Sequence, residues 1–152
     1  MKRSILLAAG FATALTTAAS AQDPLAMPVI ARQGIMAVLA MNLGVLGGMA
    51  RGKTEYDAEA AQTAANAIYG VSMINMGPLL PDDSDSMSRD GTRADPMIWD
   101  DMAGYAAEWA KVQTAAPLLA ADAGKGKDAM VAALQGVQST CRSCHKAYRT
   151  PE

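Results

Sequence analysis

The last part of the chain repeats apolar side chains at alternating intervals of three and four residues. From a start near Lys127 and Asp128, the series is Met130, Leu134, Val137, Cys141, Cys144 and Tyr148. This interval matches one face of an α-helix and excludes a strand, in which side chains alternate with a period of two. The chain is therefore predicted to end in an amphipathic helix that has both of its cysteines on the buried face.

Three further segments show helical periodicity or helix boundaries. The first runs from about Pro28 to Arg51, with Gly52 as its stop. The second starts at Asp57, a residue type that caps the first turn, and stops at Gly77-Pro78. The third starts at Asp95-Pro96, a cap followed by proline. Its apolar stripe is Ile98, Met102, Tyr105, Trp109 and Val112, and Pro117 is expected to end or kink it.

These four segments are joined by two short connections and one longer loop at 78–95, which is rich in Pro, Asp, Ser and Gly. The chain is 51% apolar but only 5% aromatic, and much of its apolar content is alanine and methionine, which favour helix over strand. The predicted fold is all-α: an antiparallel, up-down-up-down four-helix bundle.

The N-terminus has the pattern of an export signal. A basic start, Met1-Lys2-Arg3, precedes an uncharged apolar run and the small residues Ala19-Ser20-Ala21. We expect residues 1–21 to be removed in the periplasm, leaving a single domain at 22–152. No other stretch is expected to anchor the chain in a membrane. With 13 Lys and Arg against 15 Asp and Glu, no nucleic-acid partner is expected.

The segment Cys141-Arg142-Ser143-Cys144-His145 holds every cysteine and the only histidine of the chain. It matches the C-x-x-C-H attachment motif of c-type haem. Two thiols three residues apart on a helix can add to two vinyl groups, and the following imidazole can reach the iron. Three other uses fit less well. A thioredoxin-like pair needs a βαβ setting, a zinc site needs four ligands, and a disulfide is poorly placed between such cysteines.

The position of this motif at the C-terminal end of a four-helix bundle resembles cytochrome c′ and its low-spin relatives, the class II c-type cytochromes. The resemblance is carried by five short stretches: Cys141-x-x-Cys144-His145-Lys146-x-Tyr148-Arg149, Pro96-Met97-Ile98-Trp99, Arg32-Gln33, Arg51-Gly52-Lys53 and Tyr56-Asp57. The resemblance covers the whole mature chain. It implies one covalent haem c attached through Cys141 and Cys144, with His145 as an axial ligand of the iron.

The resemblance also places a distal residue four positions after Arg32, which is Met36. A methionine there implies a low-spin iron with His145 and Met36 as ligands, which suits electron transfer. Methionine is also a common core filler. The alternative is therefore that Met36 only forms part of the wall beside the haem and does not bind the iron. Met41 is the next thioether along the helix.

The resemblance implies roles for three more residues. Arg32 and Gln33 would lie near the haem edge and bond a propionate, or remain surface residues, and Arg149 would lie near the side of His145. Many members have an acidic residue after the histidine, where this chain has Lys146. Homodimerisation through the first two helices is also expected from the family and from the apolar faces of the first helix.

The sequence therefore predicts a periplasmic electron-transfer cytochrome rather than an enzyme, working with redox partner proteins. The alternative is a five-coordinate, high-spin haem protein that binds nitric oxide or carbon monoxide. A peroxidase is disfavoured, because the single histidine is already assigned to the iron.

Overall fold

The computed structural model describes residues 23–151, and the predicted signal peptide lies outside them. The helices are α1 (Ala26–Ala50), α2 (Ala58–Ser72), α3 (Met97–Asp100), α4 (Met102–Asp122) and α5 (Lys127–Tyr148), with a 3₁₀ turn at Gly77–Leu79. The chain folds as a four-helix bundle of α1, α2, α4 and α5, as predicted. In it α4 packs along α5, α1 along α2, and α2 against α4.

Two helix boundaries follow the predicted signals closely. Gly52 has φ 68° and ends α1, where its N–H donates to Met49 O at 3.1 Å and the next N–H, of Lys53, donates to Gly48 O at 2.9 Å. This is the hydrogen-bond pattern that a residue in the left-handed region permits after a helix. Asp57 caps α2, and its carboxylate accepts from the N–H of Ala60 at 2.7 Å.

The predicted third helix is in fact two helices, and this corrects the prediction. The chain leaves the helical conformation at Asp101 (φ −136°, ψ 58°), which then caps α4 by accepting from the N–H of Gly104 at 2.9 Å. The second oxygen of Asp101 accepts from the Tyr148 hydroxyl at 2.7 Å. Because of this restart, Met102 is exposed rather than part of the buried stripe.

Pro117 does not end α4, which continues to Asp122. A proline removes one backbone donor from the helix, but Ala116 and Leu119 on either side of it are fully buried. The packing of this turn in the core therefore outweighs the lost hydrogen bond. The predicted second helix is also shorter than expected, because α2 ends at Ser72.

The core between α2 and α4 is built largely from alanine. Ala61, Ala65, Ala116 and Ala123 are fully buried there with Ile68. Small side chains let the helix backbones approach closely, but each removes little apolar area from water. Two large aromatic side chains of the core, Tyr105 and Trp109, lie on α4 beside the site described below.

Helix α1 is the one helix within residues 23–151 that is long and apolar enough to cross a membrane, on length and composition alone. This corrects the expectation that no stretch after the signal has such a character. In the structure, α1 packs in the bundle, with Leu39, Leu46 and Met49 in the core. We therefore treat it as a bundle helix with an apolar outer face.

Gly104 provides a test of how α4 and α5 are joined. A Cβ at this position would overlap both the Asp101 carboxylate and the Tyr148 hydroxyl. We expect Gly104→Ala to lower the free energy of unfolding by about 1–3 kcal/mol, because those two groups must separate. Gly136→Ala on α5 is the matched control, since nothing lies within 4 Å of its added Cβ, and it should stabilise by about 0.5–1 kcal/mol. Equal effects in urea unfolding would contradict the role given to Gly104.

Candidate functional site

A cavity of about 540 Å³ lies between α1, α4 and α5. The segment between α2 and α3 forms a further wall. The residues that line the cavity are Arg32, Gln33, Met36, Ala37, Leu39, Ala40, Leu43, Met76, Leu80, Gly91, Thr92, Arg93, Ala94, Ile98, Tyr105, Trp109, Val112, Cys141, Cys144, His145, Tyr148 and Arg149. Every site residue predicted from the sequence is among them. The structure therefore brings these residues together at one cavity, and the role of each toward a haem stays a prediction.

The α5 wall of the cavity contains both thiols. Cys141 and Cys144 are half-buried and free, so the disulfide considered above is absent. Burial raises the pKa of Cys141, and burial together with the nearby charge of Glu108 raises that of Cys144 to about 11. Both thiols are therefore protonated at neutral pH. A thiol–disulfide exchange site needs the opposite shift, so the thioredoxin-like alternative does not fit.

His145 lies on the same wall and is half-buried. Burial lowers the pKa of its imidazole, and the positive charges of Arg149 and Arg93 lower it further. The ring is therefore neutral at pH 7 and keeps a nitrogen lone pair for a metal. Within residues 23–151 no group of three or more His, Cys, Asp or Glu side chains could hold a metal ion by themselves. A zinc site made only by the protein is thus unsupported.

Beyond Arg32 and Gln33, the wall formed by α1 is apolar. Met36 is half-buried and lines the cavity, together with Ala37, Ala40 and Leu43. Met41, the second methionine considered from the sequence, is 72% exposed and does not line the cavity. Its exclusion follows from the helix, since five residues separate it from Met36 and turn it to another side.

Met76 is a second thioether in the cavity, and sequence reasoning did not single it out as a site residue. It is buried and lies just after α2, in the segment that leads into the 3₁₀ turn. No periodic pattern extends to this position. Only the path of the chain after Ser72 brings it to the cavity.

Arg32 is buried at the edge of the cavity and holds the segment after α2. Its guanidinium donates to Leu79 O at 3.2 Å, to Ser84 Oγ at 2.8 Å and to Thr92 Oγ1 at 2.8 Å, and it also donates to Ser84 O. The neighbouring Gln33 donates to Gly91 O at 2.5 Å. The possibility that Arg32 is a surface charge is therefore wrong. It joins α1 to both ends of the loop.

The charge of Arg32 is not matched by an ion pair in the part of the chain that the structure describes. The ring of Trp99 lies 5.9 Å from its guanidinium carbon, and the Trp99 indole N–H is buried without an acceptor within residues 23–151. A buried cation is costly unless an anion accompanies it. This edge of the cavity is therefore suited to a ligand that has carboxylates.

Arg149 ends α5 and is exposed. Its backbone pairs with Ala94 in an isolated antiparallel bridge, and the N–H of Thr150 donates to Arg93 O at 3.1 Å. The loop is thus attached to α5 at one end of the cavity and to α1 at the other.

A haem c fits the residues that surround this cavity. The apolar walls of α1 and α4 suit a flat macrocycle, and the buried Arg32 suits a propionate. The two thiols and the neutral imidazole are all on α5, at the spacing that covalent attachment requires.

Comparisons with known proteins give the same result. Residues 27–149 match the family model described as Cytochrome C'. A cytochrome c' of Cereibacter sphaeroides is 34% identical over 147 residues, covering 97% of each chain. A cytochrome c-554 of the same organism is 33% identical over 118 residues, covering 78% of this chain and 89% of its own. A solved cytochrome c' from Rhodobacter spheriodes superposes with a TM-score of 0.82 at 30% identity, over 86% of this chain and all of its own.

The hydrogen bonds of Arg32 lead to a stability prediction. Arg32→Met should lower the free energy of unfolding by at least about 2 kcal/mol, because four buried or half-buried acceptors of the loop lose their donor. Gln33→Met is the matched control. It removes one exposed hydrogen bond and should cost less than about 1 kcal/mol. Urea unfolding of the haem-loaded proteins measures both, and an Arg32→Met protein as stable as the control would refute the account.

Proposed function

Because the chain belongs to the cytochrome c′ family and its members bind one covalent haem c, we propose that it is a gas-binding cytochrome in which nitric oxide or carbon monoxide occupies the side of the haem that faces α1. The haem supplies an iron that binds such gases in its ferrous state. Gas binding is therefore our preferred function. It takes the place of electron transfer with Met36 as an iron ligand, which the sequence had favoured. The comparisons favour the gas-binding alternative.

The observation that carries the proposal is the composition of the α1 wall. The chain has a single histidine, and it lies on the opposite wall. Facing it are Met36 and Leu43 with the small side chains Ala37 and Ala40. Apart from Arg32 and Gln33 at the edge of the cavity, this wall offers no charge and no acid–base pair. It suits small neutral ligands and disfavours anions, which would lose their hydration without compensation.

Two solved relatives support the same proposal. Both are variants of a cytochrome c prime from Alcaligenes xylosoxidans in which a leucine is replaced, and each is 25% identical to this chain with a TM-score of 0.70. One is described with carbon monoxide bound and the other as a nitric oxide complex.

Each wall residue has a role in this proposal. Cys141 and Cys144 would hold the haem covalently, and His145 would bind the iron from the α5 side. Arg32 keeps the loop in place and contributes a positive charge for a propionate, while Gln33 fastens the same loop through Gly91. Arg149 and its backbone bridge keep the loop against the end of α5.

A second candidate function is electron transfer with Met36 as the sixth ligand. The observation that favours it is the position of the Met36 side chain, half-buried on the wall opposite His145. A thioether bond would close the gas site and raise the reduction potential. The two functions predict opposite spin states, so one spectrum separates them.

We also place the protein in the periplasm, with residues 1–21 as a signal peptide and redox partner proteins as electron donors. Covalent haem attachment of this kind accompanies export. No catalytic residue is assigned, and we propose a binding protein rather than an enzyme.

A homodimer is the further part of the proposal. The outer face of α1 exposes large apolar side chains at Met27, Ile30, Val38, Met41 and Val45, spaced by three, four, seven or eight residues on one side of the helix. Exposed apolar stripes of this kind mark interaction surfaces. A solved relative at 26% identity and a TM-score of 0.77 is described as having a ligand-controlled dimer dissociation.

The gas-binding proposal predicts the spectrum of the protein and of one variant. The wild type should have a broad, high-spin spectrum and bind carbon monoxide at once on reduction. Met36→Leu should remain high-spin and lose less than about 1.5 kcal/mol of stability, because the two side chains have similar volume. Met41→Leu is the control outside the cavity. A low-spin wild type that becomes high-spin only in Met36→Leu would establish the electron-transfer alternative.

The dimer has its own test. Val45→Glu places a charge in the apolar stripe and should shift sedimentation towards the monomer, while the haem spectrum stays unchanged. Leu118→Glu on α4 is the matched control, since Leu118 is 61% exposed and lies on another helix. A wild type that is monomeric at tens of micromolar, or an equal effect of both variants, would exclude the α1 interface.

A further inference from the structure

Positive charge is concentrated on the outer face of α5, beside His145. Arg142 and Lys146 are four residues apart on α5 and therefore share one side of the helix. Arg149 follows directly after the last helical residue, at the same end of α5 and at the rim of the cavity. All three are exposed. We refer to these three residues as the basic face.

The basic face has no neutralising partner in the part of the chain that the structure describes. None of its three cations belongs to an ion pair there. In sequence, no acidic residue occurs between Asp128 and Glu152. The positive charge of this face is therefore available to an external anion.

Two carboxylates do contact α5, one from the cap of α4 and one from within α4, and both already accept hydrogen bonds. Glu108 accepts from Lys111 at 2.5 Å and from the Ser143 hydroxyl at 2.6 Å. Asp101 accepts from the Tyr148 hydroxyl and caps its own helix, as described above. Neither carboxylate forms an ion pair with a cation of the basic face.

The sign of this face is opposite to that of the whole chain. The protein has more acidic than basic residues, and the formal net charge is −2 before the basic signal peptide is removed. A local excess of positive charge on a protein of net negative charge makes the charge distribution asymmetric. Such an asymmetry orients a charged protein as it approaches. The face lies next to the iron ligand proposed above, where electron transfer needs a close approach.

We propose that the basic face is the docking surface for an acidic patch on the protein that reduces the haem. This inference rests on the proposed function, since the iron must be ferrous to bind carbon monoxide. One electron passes from the donor protein to the haem, and no bond or proton is exchanged. Three cations are too few for a stable membrane site, which takes roughly four to eight, so a protein partner is favoured.

The location can be mapped with a paramagnetic anion. Hexacyanochromate(III), added to the ferrous carbon monoxide complex, should broaden the backbone amide signals of residues 142–149 more than any others. In the double variant Arg142→Glu and Lys146→Glu the selective broadening should disappear. Lys53→Glu, on the connection after α1, is the control for a charge reversal outside the basic face, and it should leave the pattern intact.

The salt dependence of an oxidation rate gives a second test, because the two alternatives predict opposite changes of the rate. Oxidation of the ferrous protein by hexacyanoferrate(III) should slow as salt is added if the anion docks on the basic face. It should speed up with salt if the net negative charge controls the approach. At low salt the double variant should react about tenfold more slowly than the wild type. Its reduction potential should be unchanged.

The outcomes separate the two proposals. A haem-loaded protein with a normal carbon monoxide spectrum, in which the anion broadens another surface or the rate rises with salt, overturns the docking face alone. An equal loss in Lys53→Glu does the same. A chain that does not retain haem overturns the proposed function together with this inference.

Discussion

The structure depends on a space that its own side chains do not fill. Three helices turn apolar residues towards a cavity of about 540 Å³, and the core between α2 and α4 contains several alanines. Apolar surface that borders such a space gains neither burial nor close contacts until a ligand occupies it. A covalent haem supplies that surface, and its attachment to α5 prevents its loss. The stability of the bundle and the function of the site therefore have the same origin.

The loop between α2 and α3 connects this cavity to the rest of the fold. Arg32 binds the loop to α1, and the bridge between Ala94 and Arg149 binds it to the end of α5. The two helices that face each other across the cavity are thus linked by one segment. Arg32, first considered for its contact with the haem, therefore also has a structural role.

Much of this could be predicted from the sequence because the determining features are local. The interval of three and four residues specifies the buried face of α5, and the attachment motif lies on that face. The Asp57 cap and the Gly52 stop depend only on nearby backbone groups. The errors concern features that depend on contacts between distant segments. The break at Asp101 involves Tyr148, the persistence of α4 through Pro117 involves the core, and the place of Met76 involves the path of an irregular segment.

We propose that the iron has one protein ligand and an open face towards α1. X-ray absorption at the iron edge of the ferric and ferrous protein tests it most directly, because a sulfur neighbour scatters differently from nitrogen. The account predicts a shell of pyrrole and imidazole nitrogens without an iron–sulfur distance in either oxidation state. A sulfur shell that disappears in Met36→Leu would contradict it, and would show that the thioether closes the site.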